Sequence, residues 1–175
     1  MSERRLVELV DAEGNPVGAC TVAEAHAPPG RLHRAFSVLL FDGEGRMLMQ
    51  QRALTKSRFA GRWTNTCCSH PAPGEDVLTA ARRRLGEELG LGEVARLREV
   101  GRFVYRAADP TGNAVEHEYD HVLVGECAGL PMPTPAAEEV NSLRWMTAAE
   151  VRRDLAAAPD RHSPWLSDVM RCTFG

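Results

Sequence analysis

The stretch from Pro71 to Leu91 leaves this chain little conformational choice. Val77, Ala81, Leu85 and Leu89 recur every four residues, and Leu78 widens the same apolar stripe, which predicts a helix over Glu75–Leu89. Pro71, Pro73 and Gly74 punctuate its start, and Gly90 stands where a left-handed residue ends a helix. A helix with one apolar face must lay that face on a partner. Gly86 in its middle costs about 1 kcal/mol relative to alanine. Either another segment passes close by, or the position is a tolerated weak spot.

The partner is predicted to be a sheet of short strands. Residues 5–10 and 17–22 flank Glu13-Gly14-Asn15-Pro16 and read as a β-hairpin. A polar, proline-containing stretch from Glu24 to Arg34 follows, carrying His26 and His33 and no assigned element. Ala35–Phe41 reads as a buried strand, turned by Asp42-Gly43-Glu44-Gly45 into a second, Arg46–Arg52, and Ala53–Arg62 reads as a loop. Val100–Arg106 and Val115–Glu126 read as strands joined through Asp109–Asn113, and Leu143–Met146 as a short one. Thr147 and Glu150 have capping-box spacing and open a helix that Pro159 ends. Ser163-Pro164-Trp165 reads as an N-cap with proline in the first turn of a last helix. The pattern predicts one mixed α/β (α+β) domain over residues 1–175, with mainly hairpin-connected strands and helices packed around them.

Composition narrows the function. A net charge of −3 argues against a general nucleic-acid binder, and no apolar run is long enough to span a bilayer. Five cysteines, an odd number in no regular framework, and the lack of a secretory leader point to a reducing cytoplasm. Charge is unevenly placed, however. From Gly45 to Gly74 there are five cations (Arg46, Arg52, Lys56, Arg58 and Arg62) and no acid. That field suits a polyanion such as a diphosphate, the plainer alternative being a solvated loop face. On the helix, Glu75, Glu87 and Glu88 could offer oxygens to Mg²⁺. Arg83 with Glu87 and Arg84 with Glu88 stand four apart, so surface ion pairs are the competing reading. At the helix entrance, T-N-T-C-C-S-H-P brings thiols next to an imidazole.

The helix and its entrance resemble a Nudix box, G-x5-E-x7-R-E-U-x-E-E-x-G-U with U apolar. Glu75, Arg83, Leu85, Glu87, Glu88, Gly90 and Leu91 are in register; Ser69 replaces the opening glycine and Arg84 the first glutamate of the R-E-U-x-E-E run. Over nearly its full length the chain resembles the type I isopentenyl-diphosphate Δ-isomerases. The resemblance is carried by H-x6-H at 26–33, Q-R-A-L-T-K at 51–56, W-T-N-T-C-C-S-H-P at 63–71, Y-R-A-A-D-P at 105–110, E-H-E at 116–118 and S-P-W at 163–165. It implies a single Nudix-like domain, a mixed sheet flanked by helices with an N-terminal β-hairpin extension. The activity implied is interconversion of isopentenyl and dimethylallyl diphosphate.

The resemblance also implies roles. The C-x-H-P spacing selects Cys68 rather than Cys67 as catalytic, with Glu116 on the opposite side and Tyr105 hydrogen-bonding near that glutamate. Moving a double bond requires a proton added at one end and another removed near by, so an acid and a base must flank an apolar tail. Trp165 matches the position whose aromatic face steadies the tertiary carbocation between them. His26, His33, His70, Glu116 and Glu118 are implied as ligands of a Zn²⁺ or Mn²⁺ ion. A second ion, Mg²⁺, would join Glu88 to the diphosphate, with Arg52, Lys56, Arg84 and Ser69 at the anion site. His117 should face away from its glutamate neighbours, and His121 and His162 match no ligand position. Val22 stands where the family often has a lysine, leaving Arg31 or Arg34 as candidate replacements. The partner expected is a small isoprenoid diphosphate, without nucleic acid or membrane, acting on a monomer or weak dimer. Two other readings remain: a Nudix diphosphohydrolase acting on a nucleotide-type diphosphate, and a catalytically silent metal- or diphosphate-binding module.

Overall fold

In the computed structural model, which describes residues 2–175, the apolar runs become nine strands of one mixed sheet. β1 (Leu6–Val10) and β2 (Pro16–Thr21) form the expected hairpin. β3 (His33–Phe41) is the hub. Along one edge it pairs in parallel with β8 (Val115–Glu126), His33 opposite Glu118 and Phe41 opposite Glu126. Along the other it pairs antiparallel with β6 (Cys67–Ser69), Ser37 opposite Cys68. β7 (Ala95–Ala108) extends the sheet beyond β8. β4 (Met47–Arg52) leaves β3 at the Asp42–Arg46 turn and pairs with both β5 (Trp63–Thr64) and β9 (Val140–Met146).

Helices cover both faces. α2 (Val77–Leu89) presses Ala81, Leu85 and Leu89 onto Phe36, Val38, Leu40 and Leu123. All seven are fully buried, and each leucine contributes about 1.5–3 kcal/mol by leaving water. Its N-cap is Asp76, whose side chain accepts the Thr79 N–H, so the helix starts two residues later than the pattern suggests. Glu75 lies outside it and grips Arg83 (2.9 and 3.0 Å). Gly90 takes the left-handed cap conformation at φ 69°. A Cβ on Gly86 would lie 3.5 Å from the Gly92 Cα, so a backbone does pass close by. The second face packs Leu39, Met49 and Val122 against Trp165, Leu166 and Val169, with α3 (Ala148–Ala157) and α4 (Leu166–Phe174) above it.

Three expectations change. The stretch after Thr21 contains α1 (Val22–His26), closed by a capping box between Thr21 and Glu24. β7 begins five residues before Val100, since bulges between Ala95 and Arg98 and between Glu99 and Gly101 break the alternation. Ser163 does not cap α4. Its hydroxyl donates instead to Thr64 Oγ1 at 2.7 Å, and Trp165 occupies the cap position.

Candidate active site and metal centre

Three histidines from three separate places in the sequence meet under one end of β8. His26 ends α1, His33 opens β3 and His70 follows β6; their ring centroids lie 4.8, 5.3 and 4.9 Å apart. Period-two alternation on β8 turns Glu116, Glu118 and Asp120 inward and leaves His117 and Tyr119 half-buried. Glu118 Oε1 is 2.9 Å from His70 Nε2 and 3.5 Å from His33 Nε2; Glu116 Oε2 is 3.0 Å from His26 Nε2. One ligand atom each from His26, His33, His70 and Glu118 falls within 4.8 Å of the others, and all four are buried.

The donor set fits a divalent cation. His26 Nδ1 donates to the Val22 carbonyl at 2.7 Å and His33 Nδ1 to the Arg31 carbonyl at 2.8 Å, which fixes both rings with Nε2 turned inward. Both Nε2 atoms then converge with carboxylate oxygens on one point, where a cation could be held. His33 Nε2 and His70 Nδ1 are buried without hydrogen-bond partners among the described residues. Burial holds His70 down at about 3, keeping it a neutral imidazole. Burial also opposes charge on His26, but its bonds to Glu116 and Glu118 win and raise it to about 9. The bonds from all three histidines overcome burial at Glu118 and hold it well below the carboxylate range.

Cys68 occupies the same pocket from the other side of β3. The pocket is a narrow cleft lined by Arg52, Lys56, Arg58, Cys68, Ser69, His70, Tyr105, Glu116, Glu118 and Trp165. Burial pushes the Cys68 thiol up to about 12, outweighing the nearby Arg52, so it carries its proton at neutral pH. Its Sγ donates to Asn65 Oδ1 (3.1 Å) and accepts the Trp165 indole N–H (3.2 Å). Asn65 Oδ1 also accepts from Thr64 Oγ1 and Trp165 Nε1, while its Nδ2 donates to the Val38 and Cys67 carbonyls. Trp165 packs against Tyr105 and Phe59. Cys67 is fully buried among the residues under α2 and does not line the cleft.

Of the five loop cations, three line the cleft. Arg52 Nε and Nη2 donate to the Arg58 and Phe59 carbonyls, and its guanidinium lies 5.5 Å from the Trp165 ring centroid. Lys56 pairs with Glu139. Arg46 instead pairs with Asp42 and Glu44 in the β3–β4 turn, and Arg62 reaches the His162 carbonyl. The Val22 side chain is buried in the small core under the hairpin. Neither proposed replacement serves the cleft: Arg31 is exposed, and Arg34 holds Glu8 and the Gly14 carbonyl.

Two expected groups stand apart from the cleft wall. Arg84 and Glu88 are buried behind it and bonded to each other at 2.5 Å, with Arg84 also reaching Glu87 and Glu139. Glu88 therefore has the Arg84 guanidinium as its countercharge, and neither residue lines the cleft. Tyr105 also differs, donating at 2.7 Å to Glu118 rather than to Glu116. His162 is no ligand; its Nδ1 contacts the Ala158 carbonyl. Two site residues go unmarked by the sequence pattern: Asn65, and Asp120, whose Oδ2 accepts from Ser37 Oγ beside Cys68. Burial, reinforced by the Glu118 charge, pushes the Asp120 carboxyl well up. The buried polar pair Thr64-Asn65 before C-C-S-H-P was the one available signal for Asn65.

A histidine–glutamate cluster able to hold a metal ion beside a cationic cleft, on a mixed sheet carrying a helix with Nudix-box spacing, defines a class, and residues 31–169 match the NUDIX domain family. A crystal structure from Deinococcus radiodurans superimposes with a TM-score of 0.78 at 18% identity, covering 98% of this chain and all of that one. The C. elegans Ap4A hydrolase gives 0.56 at 16% identity, over 80% of this chain and 93% of its own. These likenesses establish the fold. Closer relatives are enzymes named isopentenyl-diphosphate Delta-isomerase. The Nocardia farcinica enzyme is 60% identical over 94% of this chain and 91% of its own length. That of Streptomyces griseus is 46% identical over 97% and 83%, and that of Serratia proteamaculans 43% over 93% and 88%. The chain belongs to the NUDIX family and, within it, to the isopentenyl-diphosphate Delta-isomerases.

Proposed function

We propose that this chain interconverts isopentenyl diphosphate and dimethylallyl diphosphate. The observation that carries the reading is the Cys68 thiol and the Glu116–Glu118 carboxylates in one cleft, with the Trp165 indole bonded to the thiol sulfur. Isomerisation adds a proton at the terminal methylene and removes one two carbons away. The protein ends each turnover with the same number of protons, shifted from one catalytic group to the other, and the reverse reaction uses the pair in the opposite order. Cys68 and Glu116 are the pair; Tyr105, kept as a phenol by burial, donates to Glu118 and fixes that side of the cleft. Positive charge appears at the branching carbon between the two transfers. The ring face of Trp165 steadies it without offering a nucleophile. Arg52, Lys56 and Ser69 would take the diphosphate.

His26, His33 and His70, with Glu118 and the adjoining Glu116, would hold a Zn²⁺ or Mn²⁺ ion. When bound, that ion would supply a fixed positive charge beside Glu116 and lower its affinity for a proton. Arg84 standing in the acidic run and neutralising Glu88 speaks against the hydrolase reading. No helix among the described residues is long and apolar enough to cross a membrane, and the five free cysteines suit a cytoplasmic setting.

The test is incubation with isopentenyl diphosphate and Mg²⁺ in D₂O. Dimethylallyl diphosphate should form with deuterium in the product. Cys68→Ala should abolish both, whereas Cys67→Ala should retain them. Phosphate release from nucleotide diphosphates without isomerisation, or equal loss in the two cysteine variants, would overturn the assignment.

A further inference from the structure

Arg58 differs from the other cations of the cleft. Its side chain is only 8% exposed, yet its Nε is buried without a hydrogen-bond partner among the described residues. That nitrogen faces Glu116 Oε1 at 3.5 Å, too far for a good hydrogen bond. Nη1 turns outward to both carboxylate oxygens of Glu3, at 3.0 and 3.2 Å. The Arg58 backbone is firmly placed: Arg52 clamps its carbonyl, and Asp109 Oδ2 accepts the next residue's N–H at 2.6 Å. Glu3, by contrast, offers a side chain that is 45% exposed.

The fixed guanidinium thus holds a loosely committed carboxylate at the edge of the cleft. Lys56 is paired with the buried Glu139, and Arg52 is engaged with loop carbonyls. Arg58 is the cleft cation whose anionic partner is easiest to replace. A phosphate group carries more charge than one carboxylate and matches the planar guanidinium fork equally well. Glu3 is the exposed member of the pair, so its carboxylate regains water when another anion takes its place on the buried guanidinium.

We propose that Arg58 is a substrate-binding residue for the diphosphate, and that Glu3 is its resident stand-in, displaced when the substrate arrives. The identity of the anion rests on the isomerase reading; the exchange itself rests only on charge and geometry. On this view Glu3 competes with substrate for the same nitrogen, while Arg58 binds at the edge of the cleft where Glu116 works.

Calorimetric titration with inorganic pyrophosphate in the presence of Mg²⁺, alongside isomerase kinetics, tests it. Arg58→Met keeps the stem and should weaken pyrophosphate binding and raise KM by about 10-fold or more, with a smaller fall in kcat. Arg58→Lys should recover part of the loss. Glu3→Gln should tighten pyrophosphate binding and lower KM by about 2–5-fold. Wild-type pyrophosphate affinity in Arg58→Met, or a loss confined to kcat, would overturn the proposal, as would weaker binding in Glu3→Gln. If melting curves show that Arg58→Met does not fold, Arg58→Lys and Glu3→Gln decide the question. Arg58-dependent pyrophosphate binding by a wild type that does not turn over isopentenyl diphosphate would sink the isomerase reading and keep this one.

Discussion

Replacing Asn65 with alanine should damage both stability and chemistry, and the size of the damage can be worked out. Asn65 is fully buried. Its Nδ2 satisfies the Val38 and Cys67 carbonyls at 3.1 and 2.9 Å, and its Oδ1 accepts from Thr64 at 2.8 Å and from Cys68 at 3.1 Å. The Trp165 N–H would keep one partner, the Cys68 sulfur. Four bonds at a net ~1 kcal/mol each give about 4 kcal/mol, lowered where a neighbour re-pairs and raised where a buried group stays unsatisfied. Against a typical domain stability of about 5–15 kcal/mol, that is a large fraction. Urea unfolding at neutral pH should show a lower midpoint with an unchanged slope. In whatever fraction folds, kcat should fall more than KM rises, because the thiol and the indole lose the oxygen that aligns them. Asn65→Asp, which keeps the acceptor and loses the donor, should fall between alanine and wild type in kcat. A stability loss below about 1 kcal/mol with kcat intact would refute the view that this amide organises the thiol side.

Two further outcomes follow from the charged groups. Stripping the protein with a strong chelator should abolish turnover and lower Tm; Zn²⁺ or Mn²⁺ at 100 times its Kd should restore about 2.7 kcal/mol, or roughly 5–10 °C. A Tm indifferent to chelator and metal would remove the histidine cluster from consideration as a cation site. Glu139 answers to acid: burial works against its carboxylate, but Lys56 holds it down to about 2, below the ordinary 4.5. A depressed carboxyl contributes fully above pH 4.5 and loses that contribution as pH falls toward 2. Unfolding midpoints measured from pH 6 to pH 3 should therefore drop less steeply in Glu139→Gln than in wild type.

The elements carrying strong periodicity were legible: α2, β8 and the N-terminal hairpin all follow from their apolar spacing. α1 was not, because five residues are too few to display a stripe, although Thr21 and Glu24 spell a capping box. The H-x6-H and E-H-E spacings carry the metal cluster only through the family resemblance; that His70 meets His26 and His33 depends on β3 pairing with both β6 and β8. The cation run flagged Arg58 only as one of five, and its pairing with Glu3 and its approach to Glu116 come from distant parts of the chain, as do most of the bonds of Asn65. The family resemblance puts Arg84 at the anion site, and local pattern could not show that its guanidinium is bonded to Glu88 and Glu139.

The position of β3 between β6 and β8 has a consequence for how firmly the two sides of the cleft are held. Adjacent strands lie about 4.8 Å apart, so the strand bearing Cys68 and the strand bearing the carboxylates are separated by about 10 Å, two rungs of main-chain hydrogen bonding. Trimming Ser37 or His33 would remove side-chain atoms but would not move those rungs. Ser37 stands opposite Cys68 on one side and His33 opposite Glu118 on the other, so the thiol and the carboxylates also sit at different heights along β3, and the backbone ladder rather than any one side chain fixes where they stand relative to each other.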